Sequence, residues 1–128
     1  MRLRPLTPTS IRAPFGRYAH AVEVTGAARL LFLSGQLGIG PDGDIAEDAA
    51  AQAAQAFANI DACLAEAGIG RGQVLRLNVF LTETAYREPY MRVRDAWVAD
   101  PPPASTLVIV KALALPICKV EIEAVAAA

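Results

Sequence analysis

The run QAAQAFANIDACLAEAGIGRGQVLRLNVFL, Gln52 to Leu81, changes its hydrophobic period partway along, and that change decides the fold. Ala53, Phe57, Ile60, Leu64 and Ala67 recur at spacings of three and four, which lines one face of an α-helix. Gln52, Gln55, Asn59, Asp61 and Glu66 fall largely off that face, so the helix is amphipathic. Upstream, Asp48 is placed to cap the helix start, and Gly68 to cap its end, with Ile69 available to fold back. From Val74 onward Leu75, Leu77, Val79 and Leu81 alternate with Arg76, Asn78 and Phe80, the period of a strand with one strongly apolar face.

Working outward, HAVEV (20–24) and RLLFLSGQ (29–36) flank TGAA, and predict a hairpin around a turn containing Gly26. On the other side Tyr86, Tyr90, Val93 and Trp97 predict a second helix with Pro89 in its first turn, ending before Pro101. STLVIV and CKVEIEAVA complete the chain as two strands. In the last, Lys119, Glu121 and Glu123 alternate with Val120, Ile122 and Val125 until the period slips near the end. The order ββαβαββ predicts one domain over 1–128, an α/β sandwich with a single sheet and two helices on one of its faces. Arg76, Asn78, Phe80, Glu121 and Glu123 are expected on the opposite face. Such a mixed surface is too apolar to stay wet, and self-association into a closed symmetric oligomer covers it while leaving polar-lined clefts between subunits.

A chain of 128 residues buries roughly 68% of the surface its unfolded form exposes, enough for one ordinary core. Hydrophobic residues make up 54%, but much of the excess is dispersed alanine, and no run reaches the roughly 18 apolar residues of a membrane span. Twelve Lys and Arg against thirteen Asp and Glu give a net charge of −1, so no basic field attracts a phosphate backbone, and nucleic acid is excluded as the principal partner. The opening MRLRPLTPTSIRAPFG lacks the apolar centre of a secretory signal, and a cytoplasmic location is expected. Cys63 and Cys118 stand far apart with only His20 to join them, so no metal site is expected; both are read as small buried hydrophobes, with pocket lining a further option for Cys118. His20, two positions beyond Tyr18, is read as a hydrogen-bonded structural residue. With one histidine and no G-x-S-x-G, neither Ser34 nor Ser105 belongs to a nucleophilic triad.

Five segments in order carry a family resemblance: GRYAHAV (16–22), LFLSGQLGIGPDG (31–43), QAAQAFANIDACLAEAG (52–68), VLRLNVFL and KVEIEAVA. Together they resemble the RidA/YjgF family of imine and enamine deaminases, once called L-PSP-type endoribonucleases. The resemblance implies an α+β, chorismate-mutase-like fold with one mostly antiparallel sheet and two helices on one face. It further implies a homotrimer whose sheets surround a central barrel, small-molecule substrates bound in clefts between subunits, and no cofactor or metal. Carried over by position, the family's tyrosine corresponds to Tyr18, its S-G-Q segment to Ser34, Gly35 and Gln36, and its water-positioning glutamate to Glu121. The carboxylate-binding arginine belongs in P-A-R-S, and this chain reads Pro103-Ala104-Ser105-Thr106. The asparagine of the second helix is also missing, near Tyr90, and the proline before the tyrosine is Arg17.

Losing that arginine changes the expected chemistry. A guanidinium holds a carboxylate through two charge-assisted hydrogen bonds of roughly 1.5–3 kcal/mol each, whereas Ser105 offers one neutral donor. Ala104 and Ser105 are therefore expected to leave a larger, neutral cleft, suited to a substrate other than 2-aminoacrylate, as in a specialised biosynthetic or degradative pathway. Glu121 can still pass protons to or from water or a carbon acid. Two alternatives stand beside this reading: a ligand-binding or regulatory trimer without turnover, and a genuine 2-iminobutanoate or 2-aminoacrylate deaminase in which Arg17 or Lys111 supplies the cation.

Overall fold

Asp48 caps the first helix as expected: in the computed structural model, which describes residues 1–128, its carboxylate accepts the Ala51 N–H at 2.7 Å. Helix α1 runs Ala49–Glu66. Past its end Gly68 takes φ +66°, a conformation that favours glycine, and Ile69 donates its N–H back to Leu64 O at 2.8 Å while its side chain enters the core. Around this helix lie β1 (Arg2–Leu6), β2 (Ala21–Thr25), β3 (Leu30–Leu37), β4 (Val74–Leu81), helix α2 (Arg87–Trp97), β5 (Ala104–Ile109) and β6 (Val120–Ala127). Pro89 sits in the first turn of α2, where its missing N–H costs little.

Two sheets form: β1 with β2, and β3-β6-β4-β5. Within the larger, β4 and β5 are parallel and the other pairs antiparallel. Parallel neighbours need a crossover, and α2 supplies it. The hairpin expected between β2 and β3 does not form. Gly26 makes its turn (φ +68°), but Ala28 and Arg29 both donate to Ala128 O at 2.8 Å, which steers β3 onto β6 and leaves β2 to pair with β1.

Leu77, Val79 and Leu81 of β4 and Val120, Ile122, Ala124 and Ala126 of β6 face the helices. They pack against Ala53, Ala56, Phe57, Ile60 and Leu64 of α1 and Tyr90 and Trp97 of α2. The Phe57 ring stacks on Trp97 with centroids 4.6 Å apart. Burying each large side chain contributes about 1.5–3 kcal/mol.

Four sequence expectations need correcting. Leu75 is only half-buried, because the β4–β6 register shifts between Val74 and Arg76 and Val74 takes the inward place instead. The period of β6 does not slip: Ala124 and Ala126 continue the inward set, and Val125 joins Glu121 and Glu123 on the other face. Cys63 is exposed, lying on the solvent side of α1, whereas Cys118 is buried. Gln52, expected on the polar side, is fully buried because its amide is satisfied. It donates to Ala46 O (2.9 Å) and Ile117 O (3.0 Å) and accepts from Lys119 N (2.7 Å).

The expected mixed face is present. Arg76 Nε donates to Asn78 Oδ1 (2.8 Å), its Nη2 to Thr106 Oγ1 (3.1 Å), and Asn78 Nδ2 to Glu123 Oε1 (3.0 Å). Beside this ladder Phe32 is 72% exposed, with Leu30 and Val108 also open to solvent. No helix is long and apolar enough to cross a membrane.

Candidate functional site

The segment Ser34-Gly35-Gln36 lies at an irregularity of β3. Leu33 pairs with Ala124 and Gln36 with Ile122, so Ser34 and Gly35 together oppose one residue of β6. Such a bulge re-aims the side chains around it. Gln36 spans it, donating from Nε2 to Ser34 O at 3.1 Å. Glu121, opposite Leu37, lies across the bulge. A methyl group built on Gly35 would overlap the Glu121 Oε1 and stand 2.8 Å from its Cδ, so glycine is what gives the carboxylate its seat. From behind, α1 holds this strand end. Asn59 Nδ2 donates to both Leu37 O and Ile39 O at 3.1 Å, and its Oδ1 accepts from Gln55 at 2.9 Å. Ser34 is exposed and borders a depression of about 370 Å³ shared with Phe32, Asn78 and Glu123.

A second hollow, about 490 Å³, opens beside α2 and is lined by Phe15, Tyr18, Arg87, Met91, Arg94, Ser105 and Leu107. Tyr18 and Ser105 therefore meet in one cleft. The Tyr18 hydroxyl accepts the Phe15 N–H at 3.1 Å, leaving its own proton free to donate. His20 braces the same segment through a 2.6 Å contact between Nε2 and Arg12 O, a structural part. Ala104 anchors the segment by bridging to Ala19, whose N–H bonds Pro103 O at 2.8 Å. The Ser105 hydroxyl is shielded from solvent and has no hydrogen-bond partner.

The cleft is not neutral, which overturns the expectation drawn from Ser105. Neither Arg17 nor Lys111 lines it. Arg17 reaches instead to Asp95 O (3.2 Å) and Ala99 O (3.5 Å) at the end of α2, and Lys111 lies exposed beyond β5. Its cations come from α2: Arg87, exposed, and Arg94, only 3% exposed. Arg94 was missed because it lies beside the apolar stripe. The available signal was Arg87, Met91 and Arg94 at spacings of four and three, one helical face.

Glu121 does not join this cleft within one chain. Ser105 is the register partner of Leu77, on the helix side, while Glu121 is the partner of Phe80, on the mixed face. Tyr90 and Trp97 belong to the core; burial pushes the Tyr90 phenol well above its ordinary range, and its hydroxyl has no partner. Cys118 lines neither hollow, and burial, reinforced by Glu121, pushes its thiol up. No three His, Cys, Asp or Glu side chains gather into a metal-binding group.

A helix-backed α+β sheet with a bulged Ser-Gly-Gln strand end, a glutamate seated on its glycine, and a tyrosine cleft beneath the second helix defines a class of small single-domain proteins. The chain belongs within it to the family described as Endoribonuclease L-PSP, the RidA/YjgF family, whose sequence profile it matches over residues 9–128. It is 35% identical to a RutC family protein of Aquifex aeolicus (strain VF5), over 97% of this chain and 98% of that one. Its fold is similar to the crystal structure of YyfB, a Rid-family protein of unknown function from Yersinia pestis, with TM-score 0.90, 31% identity and 100% of both chains covered. RidA from the Antarctic bacterium Psychrobacter sp. PAMC 21119 is similar at TM-score 0.75 and 32% identity, over 98% of this chain and 99% of that one.

Proposed function

We propose that this protein is a RidA-like enzyme that acts on a small imine, enamine or related carbonyl intermediate by proton transfer and water addition, as a homotrimer without a cofactor. The seating of Glu121 on Gly35 carries the proposal: a carboxylate held over a strand bulge, on a surface that also offers Ser34, is a placed proton carrier. An enamine first shifts a proton from nitrogen to carbon to become an imine. Glu121 then takes a proton from water as the water oxygen bonds to the imine carbon, and passes that proton to the nitrogen. Collapse of the carbinolamine breaks the C–N bond, with Glu121 moving the hydroxyl proton to nitrogen. One imine and one water become one carbonyl compound and one ammonia. Tyr18 donates a hydrogen bond from its hydroxyl to the substrate and keeps its proton.

Assembly is part of the proposal because Glu121 and the Tyr18–Ser105 cleft occupy opposite faces of one chain. A neighbour's mixed face brought against each cleft unites them, covers Phe32 and Val108, and closes after three copies. The cleft, about 490 Å³, is of ligand-binding size, and serine in place of arginine leaves room for a substrate bulkier than 2-aminoacrylate. The test is twofold. In solution the mass should be three times that of the 13.5 kDa chain, and Glu121→Gln should lower ammonia release from imines generated in situ by about 10²–10⁴-fold without changing that mass. A monomer, or unchanged turnover in Glu121→Gln, overturns the proposal; a trimer that binds but never turns over leaves only the ligand-binding reading.

A further inference from the structure

Glu121 is seated where the sheet gives its strands least support. β3 is an edge strand of the four-stranded sheet, with β6 on one side only. Beyond its bulge at Ser34 and Gly35 two ladder pairs remain, Gln36 with Ile122 and Leu37 with Glu121. A bulge interrupts the ladder, and an edge strand has no second neighbour to restore it. The seat under the carboxylate therefore depends on what fixes Leu37 from outside the sheet.

Two side-chain amides of α1 do so. Gln52 and Asn59 stand seven residues apart, two helical turns, on one face of the helix. Asn59 Nδ2 donates to Leu37 O and Ile39 O, both at 3.1 Å, and so holds the strand end on either side of Gly38. Gly38 in turn lies against the helix backbone: a methyl built on it would stand 2.5 Å from Gln52 Cα. Gln52 takes the other strand. It donates to Ile117 O (3.0 Å) and accepts the Lys119 N–H (2.7 Å) two residues before Glu121, while its remaining N–H goes to Ala46 O (2.9 Å). Gln55 Nε2 completes the Asn59 amide by donating to its Oδ1 at 2.9 Å. Both amides thus have their two N–H groups and their oxygen engaged, which leaves each a single orientation.

We propose that Gln52 and Asn59 are positioning residues for proton transfer: by tying β3 and β6 to one rigid helix they set the distance between the Gly35 seat and the Glu121 backbone. This role rests on the activity proposed above, with Glu121 as the proton carrier. Both residues act on the carboxylate only through the backbone of its two strands. A displacement of about 1 Å at a reacting group can lower a rate by about 100-fold, so a loosened strand end registers in the chemical step before it registers in the fold.

Asn59 is the residue to change, because removing the buried Gln52 amide also strips three backbone groups of their partner. Asn59→Ala should lower kcat for imine hydrolysis by about 10- to 100-fold with KM within about 2-fold of the wild type and the assembly mass unchanged. Asn59→Ser, which keeps one donor, should recover part of that loss. In a Glu121→Gln background, Asn59→Ala should lower the residual rate by less than about 2-fold, because no carboxylate remains to be placed; a general loosening of the fold would remove the same factor in both backgrounds. If Asn59→Ala fails to fold, Gln55→Ala serves: it keeps Asn59 but frees its amide to turn, and kcat should still fall several-fold. Undiminished kcat in the folded variant, a loss carried by KM, or an equal loss in Glu121→Gln overturns the positioning role and leaves the enzymatic reading standing. Full turnover in Glu121→Gln alone sinks that reading, and the positioning role with it.

Discussion

The two halves of the candidate site are built on different terms. Around Glu121 the backbone is pinned by side-chain amides: Gln36 bridges the bulge, Asn59 and Gln52 bind backbone groups of the flanking segments, and Gly35 leaves room for the carboxylate. Around Ser105, and in the core where Tyr90 lies beside Arg94, contacts are fewer: the Ser105 and Tyr90 hydroxyls are shielded without a partner, and Arg94 leans on one oxygen of its neighbour. Preorganised groups suit a step repeated on every substrate, whereas hydroxyls shut away from solvent without a partner cost the fold free energy. The first half is built on the Ser34-Gly35-Gln36 bulge, and the second on Tyr18 and the serine at position 105.

That contrast can be broken at its strongest point by Gly35→Ala. The added methyl meets the far end of a flexible side chain, so the fold survives while Glu121 is displaced, and imine turnover should fall by about 100-fold or more with little change in melting temperature. A comparable loss of stability would mean that the bulge is structural only. Next in size, Gln52→Leu leaves the Lys119 N–H and two carbonyls without their amide partner, and urea denaturation should show about 2 kcal/mol of destabilisation.

Tyr90→Phe probes the other half with a smaller effect of opposite sign. Removing a buried hydroxyl that has no partner should stabilise the protein by about 1 kcal/mol. The wild type carries an additional pH signature. Above the ordinary phenol value of 10.0 the unfolded chain releases this proton while the folded chain retains it, so stability falls as pH rises beyond that point, and the Tyr90 share of the slope vanishes in Tyr90→Phe. The smallest effect belongs to the cysteines. Iodoacetamide should label exposed Cys63 in the folded protein without altering turnover, and reach Cys118 only on unfolding, as mass spectrometry of the labelled peptides would record.

Much of this was legible in residue order. The α1 stripe, the Asp48 and Gly68 caps, the β4 alternation from Leu77 onward and the first-turn Pro89 are local signals, and the structure places each where its spacing indicates. Of the positions singled out by offset within a segment, Gly35 and Glu121 meet at the β3 bulge with Ser34 and Gln36, while Tyr18 lies apart in the cleft beside α2. The hairpin failed as an expectation because a turn near Gly26 specifies a reversal of the chain but not the strand that β3 will meet; Ala128, a hundred residues later, decides that. Gln52 was misplaced because polarity alone cannot tell a solvated amide from one with three buried partners.

By itself, then, the sequence determined every long element except β1, which pairs with β2 in a separate sheet, together with the family and the serine where P-A-R-S carries arginine, since period, caps and motif spacing are properties of neighbouring residues. Only the tertiary structure decided that Glu121 and Ser105 face opposite ways, that Arg17 is occupied elsewhere, and that Arg94 enters the cleft. Each of those depends on strand register and helix rotation, which are set by packing between segments far apart in the chain.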